Sequence, residues 1–248
     1  MFNKPKIQFF SVMPNLTKLA PIVPAGQFKP SWFAKAQDEF SDLTKDESYG
    51  KNSITHTAKC PGIFNLIRYG YVLTTWQDIV ITTNGDKHTF EWRSPIDQSK
   101  YDSPAVSFMH KEQLSDYMGG WDDSLSCVIK FNTPWRAIVP KGYYLLEGPL
   151  PYTDEKRFTT MPGFFSQEYG VAELNIQLKW HILKGETLIK AGTPIAHYML
   201  LPKDQPKLSV MDATPEQIEA DQVSKLQNSR KFVRDYGSSK CIFGKLFK

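Results

Sequence analysis

Residues 163–170, with the sequence GFFSQEYG, combine groups that could bind a small ligand or act on it. Ser166 and Glu168 supply a hydroxyl and a carboxylate, and the ring of Tyr169 suits the face of a sugar. Gly163 supplies the positive φ that a tight hairpin needs. Hydrolysis of a phosphoanhydride here would require a carboxylate that deprotonates water, and cationic or hydroxyl groups that take up phosphate charge. These four residues therefore predict a ligand-holding hairpin.

The histidines and cysteines do not predict a second chemical site. His181 and His197 fall on neighbouring predicted strands and could approach each other, but no carboxylate stands at a triad spacing from them. Cys60, Cys127 and Cys241 are far apart and form no C-x-x-C pair, which favours free thiols in a reducing compartment. No G-x-S-x-G motif or P-loop occurs. We therefore predict no catalytic residue, no metal site and no cofactor.

Composition predicts a folded, β-rich protein. With 41% hydrophobic and 13% aromatic residues, the 248-residue chain can bury a sizeable core, and 17 prolines and 15 glycines indicate many short elements joined by turns. The net charge is +4, but its basic residues are scattered among 26 acids, so we predict no nucleic-acid face. No apolar stretch approaches a membrane span and the start does not read as a signal peptide. We expect a soluble intracellular protein or part of a particle.

The first half of the chain predicts short strands and short helices. A strand is expected at 6–12, a helix at 31–40, and a helix or turn after Pro61. The clearest strand pair flanks Asn84 and Gly85. Because Asn-Gly between two β-rich runs is typical of a two-residue hairpin, we predict a type I′ turn there.

The second half predicts a dense series of strands. The expected strands lie at 104–113, 125–131, 135–140, 142–148, 171–183, 186–192 and 193–202. The alternation of Leu174, Ile176 and Leu178 with polar residues indicates a strand with one buried face. The range 214–234 begins with Thr-Pro-Glu-Gln, a capping box, and is predicted to be helical.

Four blocks in this half carry a resemblance to a known family. They are P-K-G-Y-Y at 140–144, Pro149, G-F-F-S-Q-E-Y at 163–169 and G-T-P-I-A-H at 192–197. In order, and for three of them in internal spacing, they resemble the trimeric dUTPase and dCTP deaminase superfamily over about 135–202. The resemblance implies a mostly β fold, a β-clip (dUTPase-like) barrel with an N-terminal extension and a C-terminal helix. We predict three segments, with boundaries at 1–60, 61–210 and 211–248.

The chain departs from the family at the positions that perform catalysis. In the family the first acidic residue of the hairpin is the base, and Ser166 occupies that position here. Glu168 occupies the position of the second acid. The Arg-Ser pair that contacts phosphate in the family would fall at Leu150 and Pro151, and neither of these side chains can bind phosphate. The resemblance therefore extends to the fold but not to the chemistry.

Two functional hypotheses follow from this resemblance in fold without the family's catalytic residues. The leading one is a non-enzymatic, phage-associated binding or assembly protein on a degenerate dUTPase-like scaffold, with Gly163, Ser166, Glu168 and Tyr169 holding a nucleotide or small anion. The alternative is an enzyme of nucleotide metabolism, a dNTP pyrophosphatase or deaminase with a rearranged site. Such an enzyme would use Glu168, with charge from the adjacent pair at 156–157, Lys-Arg.

The whole chain also resembles, more loosely, an uncharacterised family of tailed phages of marine bacteria and their hosts. The shared features include F-F-S-x-x-P at 9–14, C-P-G at 60–62 and the two blocks P-K-G-Y and G-T-P-I. This resemblance implies a viral protein in the cytoplasm of the host bacterium or in the virion. Expected partners are further copies of the chain, as in the trimers of the dUTPase family, or other phage proteins. The apolar residues of the tail at 242–247 would dock on such a neighbour.

Overall fold

The computed structural model describes residues 5–45, 60–101, 103–114 and 121–230. By its internal contacts the chain groups into two compact units. Unit 1 comprises Met1–Phe28 and Ile67–Gln205, and unit 2 comprises Lys29–Leu66 and Pro206–Lys248. These units cut across the three predicted segments, whose boundaries remain a prediction. The predicted docking tail at 242–247 lies outside the described residues.

The described elements are mainly short strands. The strands are β1 (Gln8–Ser11), β2 (Val23–Pro24), β3 (Tyr71–Thr74), β4 (Ile79–Asn84), β5 (Phe90–Arg93), β6 (Val106–His110), β7 (Cys127–Ile138), β8 (Tyr143–Gly148), β9 (Phe158–Thr160), β10 (Gly163–Ser166), β11 (Ala172–Trp180), β12 (Lys184–Ile189) and β13 (Pro194–Pro202). The helices are α1 (Leu16–Leu19), α2 (Ser31–Lys45), α3 (Pro61–Arg68), α4 (Lys111–Leu114) and α5 (Pro215–Arg230). The predicted mostly β class with a C-terminal helix is confirmed.

Unit 1 arranges its strands in three antiparallel sheets. Sheet A has the order β1-β7-β11-β9, with β6 also paired to β7. Sheet B has the order β10-β8-β13-β3-β2, and sheet C the order β12-β4-β5. Some neighbouring strands are distant in sequence, since β1 pairs with β7 and β13 pairs with β8. These two pairings join both ends of unit 1 to its middle.

The core of unit 1 is built from the inward faces of these sheets. On β11, Leu174, Ile176 and Leu178 are fully buried and alternate with more exposed polar residues, as predicted. They belong to one apolar cluster with Leu145 of β8 and Ile195 of β13. Burial of a side chain of this size contributes about 1.5–3 kcal/mol. The alternation in the sequence is therefore a direct consequence of sheet packing.

One strand, β7, replaces the two strands predicted at 125–131 and 135–140. Its first half pairs with β6 and its second half with β1 along the same side. Pro134 lies between the two partners, where its missing N–H breaks no ladder. Its carbonyl accepts a 2.9 Å bond from the Val12 amide. The proline therefore marks a change of partner and does not end the strand.

The turn at Asn84 and Gly85 is not the predicted type I′ turn. The last pair of the β4–β5 ladder is Thr83 with Phe90, which leaves a six-residue loop at 84–89. Within it, Oδ1 of Asp86 accepts bonds from the amides of His88 and Thr89, at 2.7 and 2.8 Å. The hydrogen bond from the Thr89 hydroxyl, with these two, holds the pKa of Asp86 below its usual range. The connection is therefore a six-residue loop whose main chain is bonded to the Asp86 carboxylate.

Unit 2 contains α2, α5 and most of α3. The ring of Phe33 on α2 packs edge-on against Phe64 of α3, with centroids 5.0 Å apart. At the start of α5, the Thr214 amide donates to Oε1 of Gln217 at 2.8 Å, and the Gln217 amide donates to the Thr214 hydroxyl at 3.3 Å. This reciprocal pair is the predicted capping box.

No helix among the described residues is long and apolar enough to span a membrane.

Candidate functional site around residues 163–170

The segment 163–170 is not a hairpin in the structure. Its first half is β10, which pairs with β8 in sheet B. A single 3-10 turn, Gln167–Tyr169, follows, and the chain then enters β11 in sheet A. The two strands flanking the turn therefore belong to different sheets. The predicted hairpin is wrong because each flanking strand has its main-chain partners elsewhere.

The glycine with a positive φ in this segment is Gly170 and not Gly163. Gly170 has φ of +80° and allows the chain to leave the 3-10 turn. Gly163 has no positive φ and serves as the first residue of β10. A left-handed backbone is needed where the chain changes sheets, and that point lies after Tyr169. The positive φ predicted for Gly163 is therefore wrong, and the segment has its positive φ at Gly170.

The carboxylate of Glu168 is held by an ion pair with Lys203. Oε1 of Glu168 lies 2.6 Å from Nζ of Lys203, and the Ser166 hydroxyl donates a long 3.4 Å bond to Oε2. The hydrogen bond and the charge of Lys203 hold the pKa of Glu168 below its usual range. The ammonium of Lys203 also lies 4.9 Å from the ring centroid of Tyr144. The carboxylate therefore stays ionised and is bonded to Lys203.

Lys203 is the residue that sequence reasoning missed. It stands 35 positions after Glu168, just beyond the end of β13. Its backbone amide donates to the carbonyl of Gly142 at 2.8 Å, which fixes its position beside β8. Because β8 lies between β10 and β13, the start of β8, the end of β13 and the end of β10 meet at one end of sheet B. That proximity has no signature in the local sequence.

The four predicted site residues are not equally placed for a ligand. Ser166 is only 2% exposed, so its hydroxyl is directed at Glu168 and is hidden from solvent. Tyr169 is 85% exposed, and its ring is accessible. Gly163 lies at the opposite end of the segment from Tyr169. The structure thus joins Ser166 and Glu168 and leaves the other two apart from them.

A shallow cleft lies beside Leu150, one of the two residues at which the sequence resemblance would place phosphate contacts. Leu150, Phe158 and Ile195 are among its lining residues, and Glu155 contributes a carboxylate. Arg157 binds that carboxylate through Nε and Nη2, at 2.8 and 2.5 Å. Burial alone would raise the pKa of Glu155, but the bonds from Arg157 outweigh burial and lower it. The cleft therefore presents apolar walls and an ion pair to a ligand.

The two histidines considered above have separate partners. Nε2 of His197 lies 2.6 Å from the carbonyl of Tyr69, and burial lowers its pKa. Nε2 of His181 lies 2.8 Å from the hydroxyl of Thr159 in sheet A. Among the described residues, no group of three or more His, Cys, Asp or Glu side chains is arranged to hold a metal ion.

A second carboxyl, Glu147, lies in the core and was not among the predicted site residues. It is 3% exposed, and burial raises its pKa to about 7, although a hydrogen bond from Tyr198 opposes the rise. The alternation of Tyr143, Leu145 and Glu147 along β8 is the signal that could have found it. The first two of these contact the core, so the third must point inward as well.

Comparison with known proteins gives structural matches only. No protein-family model and no curated protein matches the chain. A mutant dUTPase from phage phi11 of S. aureus matches with a TM-score of 0.36 and 12% identity, covering 84% of this chain and 97% of that one. The Staphylococcus bacteriophage 80alpha dUTPase gives 0.35 and 12%, with 84% and 97% covered. A further phi11 dUTPase structure gives 0.34 and 12%, with 85% and 98% covered. Each of these proteins is a phage dUTPase, the family that the sequence blocks resemble.

Proposed function

We propose that this protein is a non-enzymatic, phage-associated binding or assembly protein on a dUTPase-like scaffold. One observation carries the proposal. Glu168, the carboxylate that stands at an acidic position of the family's hairpin, forms a 2.6 Å ion pair with Lys203. A carboxylate paired in this way is ionised and already bonded to a cation.

The ion pair makes Glu168 a poor general base. Proton abstraction is most effective when the pKa of the base lies near the working pH. The pKa of Glu168 is instead shifted downwards by Lys203, away from neutrality. Ser166 cannot replace it, because a neutral hydroxyl is too weak a base to take a proton from water. This position therefore lacks a general base suited to activating water.

The phosphate side of the site is equally unsuited to hydrolysis. Leu150 and Pro151 stand where phosphate contacts would be required, and Glu155 lines the neighbouring cleft. Arg157 is the nearby cation that an alternative enzyme would use. Its guanidinium already bonds both oxygens of Glu155 and the carbonyl of Leu188, at 2.7 Å. Recruiting it for phosphate would leave the Glu155 carboxylate uncompensated.

The remaining features suit binding or assembly. Exposed aromatic rings at Tyr144, Phe164 and Tyr169 offer contact area without a supply of catalytic groups. The partners we propose are further copies of the chain, other phage proteins, or a nucleotide or small anion near Glu168. The proposed setting is the cytoplasm of the host bacterium or the virion.

Incubation with nucleotides tests the proposal. The full chain is mixed with each dNTP and Mg²⁺, and release of pyrophosphate and of ammonia is followed. We expect no turnover above a protein-free control. The rival enzyme, a dNTP pyrophosphatase or deaminase, predicts turnover that Glu168→Gln abolishes. Glu173→Gln is the matched control, since Glu173 is also an exposed carboxylate near this segment.

Thermal shift measurements on the same samples separate binding from assembly. A ligand at about 100 times its Kd stabilises a protein by about 2.7 kcal/mol, enough to raise the Tm by several degrees. A shift without turnover indicates a nucleotide-binding module. A species larger than the monomer in light scattering, without a shift, indicates an assembly protein. Turnover that depends on Glu168 refutes both.

A further inference from the structure

The loop at 84–89 begins with Asn84, the only asparagine in the sequence that is followed by glycine. The pair does not form the type I′ turn that it predicts, and the proposed function makes no use of it. Asn84 is the last residue of β4 and is exposed to solvent. Gly85 has no Cβ, so its amide nitrogen can be approached closely. This is the arrangement in which an asparagine side chain can react with its own main chain.

Hydrogen bonds hold the Asn84 side chain against the main chain that follows it. Its Oδ1 accepts a 2.8 Å bond from the amide of Asp86, two residues further on. This bond closes an Asx-turn, in which the side chain folds over the next peptide. Nδ2 donates to Oδ2 of Asp86 and to the Thr89 hydroxyl, both at 3.1 Å. Cγ is therefore held beside the amide nitrogen of Gly85, the atom with which it would close a five-membered ring.

The Asp86 amide also assists attack on the Asn84 side chain. A nitrogen that bonds to Cγ pushes negative charge onto Oδ1, and the Asp86 N–H already points at that oxygen. A main-chain donor aimed at a developing oxyanion lowers the barrier to its formation. The loop thus supplies a positioned electrophile, a positioned nucleophile and an oxyanion donor, all within three consecutive residues.

We propose that Asn84 is a modification site, at which the chain deamidates itself with water as the only co-reactant. The amide nitrogen of Gly85 loses its proton to solvent and bonds to Cγ of Asn84. The bond from Cγ to Nδ2 breaks, and Nδ2 takes up a proton and leaves as ammonia. Water then opens the resulting succinimide at one of its two carbonyls, which gives aspartate or isoaspartate at position 84. This site is separate from the segment 163–170.

The product loosens the loop in which it forms. In the aspartate product a carboxylate oxygen replaces Nδ2, so the bonds to Asp86 and Thr89 are lost. The new oxygen stands 3.1 Å from Oδ2 of Asp86, where two like charges repel each other. Asp86 also holds the amides of His88 and Thr89. Its displacement therefore frees the connection between β4 and β5.

Peptide mapping by mass spectrometry tests the proposal on the full chain, stored folded at pH 8. We expect aspartate and isoaspartate to accumulate at position 84. Ammonia should be released once per chain without any nucleotide, which separates it from the product of a dNTP deaminase. Asn15 is the internal control, because it is also exposed but is followed by the bulky Leu16. No product at position 84, or an equal yield at Asn15, would overturn the proposal.

The variant Asn84→Gln tests the route. Its side chain is one methylene longer, so attack by Gly85 would need a six-membered ring. We expect the reaction at position 84 to slow about tenfold, a change in the barrier of about 1.4 kcal/mol. Equal rates in this variant and the wild type would show that closure onto Gly85 is not the route.

Hydrogen exchange tests the effect of the modification on the loop. The amides of His88 and Thr89 should exchange faster in Asn84→Asp and in the stored wild type than in fresh protein. Asn15→Asp is the matched control, because it adds the same charge at another exposed asparagine. Unchanged exchange in Asn84→Asp, or equal effects of the two variants, would refute the loosening of the loop.

Discussion

The hydroxyl of Tyr198 donates a 2.6 Å hydrogen bond to Oε2 of Glu147, and both residues lie in the interior of unit 1. They are direct partners across the β8–β13 ladder, and they are 0% and 3% exposed. Burial raises the pKa of Glu147 to about 7, and the Tyr198 bond limits the rise. A carboxyl that is protonated inside a sheet couples folding to pH.

Replacing Glu147 with glutamine should make stability less dependent on pH. The folded pKa of about 7 lies above the ordinary value of 4.5, so the contribution of Glu147 is fully present below pH 4.5 and lost as pH rises through about 7. At about 1.4 kcal/mol per pH unit, this loss is about 3 kcal/mol. Urea unfolding between pH 5 and pH 8 should show Glu147→Gln gaining on the wild type as pH rises. Glu91→Gln, an exposed carboxyl on β5, should follow the wild type. Parallel curves for Glu147→Gln and wild type would contradict the prediction.

Removing the phenolic hydroxyl with Tyr198→Phe should destabilise the fold by about 1–3 kcal/mol, because a buried carboxyl then loses its donor. The cost should be larger at pH 8 than at pH 5, since the ionised carboxylate depends more on the bond. In the Glu147→Gln background the pH dependence of this cost should disappear. Denaturant unfolding of the two single variants and the double variant measures the coupling. A cost that ignores pH would contradict the pairing.

A methyl group at Gly70 should be far more costly than one at Gly142. Gly70 has φ of +89°, and an added Cβ would lie 2.1 Å from the carbonyl oxygen of Tyr198. Gly142 has φ of +79° but open space around it. Gly142→Ala should therefore lose about 1–2 kcal/mol from the left-handed backbone alone. Gly70→Ala should lose more than about 3 kcal/mol, because the main chain of β13 must move. Equal losses of unfolding free energy would show that the close approach is absent.

Asp86→Ala should loosen the loop at 84–89. The carboxylate of Asp86 accepts bonds from two amides and one hydroxyl, and those bonds depress its pKa. Its loss should speed hydrogen exchange at His88 and Thr89 and lower the Tm. The β4 amides beyond the loop should keep their protection, because the ladder with β12 remains. Unchanged exchange at His88 and Thr89 would contradict this role for Asp86.

Lys203→Met should raise the pKa of Glu168 towards its ordinary value. The hydrogen bond and charge from Lys203 are the main causes of its depression, and the Ser166 bond is a lesser one. A carboxyl-detected NMR titration measures the change directly. Arg93→Met, which breaks a comparable exposed ion pair with Glu186, should leave the titration of Glu168 unchanged. An unaltered Glu168 titration in Lys203→Met would show that the ion pair does not form in solution.

Local chemistry was enough to predict many elements of this protein. The alternation around Ile176 identifies a half-buried strand, since a sheet residue faces either the core or its opposite side. Thr214 and Gln217 identify the start of α5, because a capping box is a contact between near neighbours in sequence. Leu150, Pro151 and Ser166 also indicate from the sequence alone that the carboxylate and cations needed for phosphoanhydride hydrolysis are missing at these positions.

Contacts between distant residues decided the rest. Whether 163–170 forms a hairpin depends on β8 and β7, which compete successfully for its flanking strands. The pKa of Glu168 depends on Lys203. Lys203 is 35 positions away in the sequence, and the strand order of sheet B brings it next to Glu168. The pKa of Glu147 depends on burial against β13. Main-chain pairing and burial are properties of the whole sheet, so they appear only when the strands are assembled.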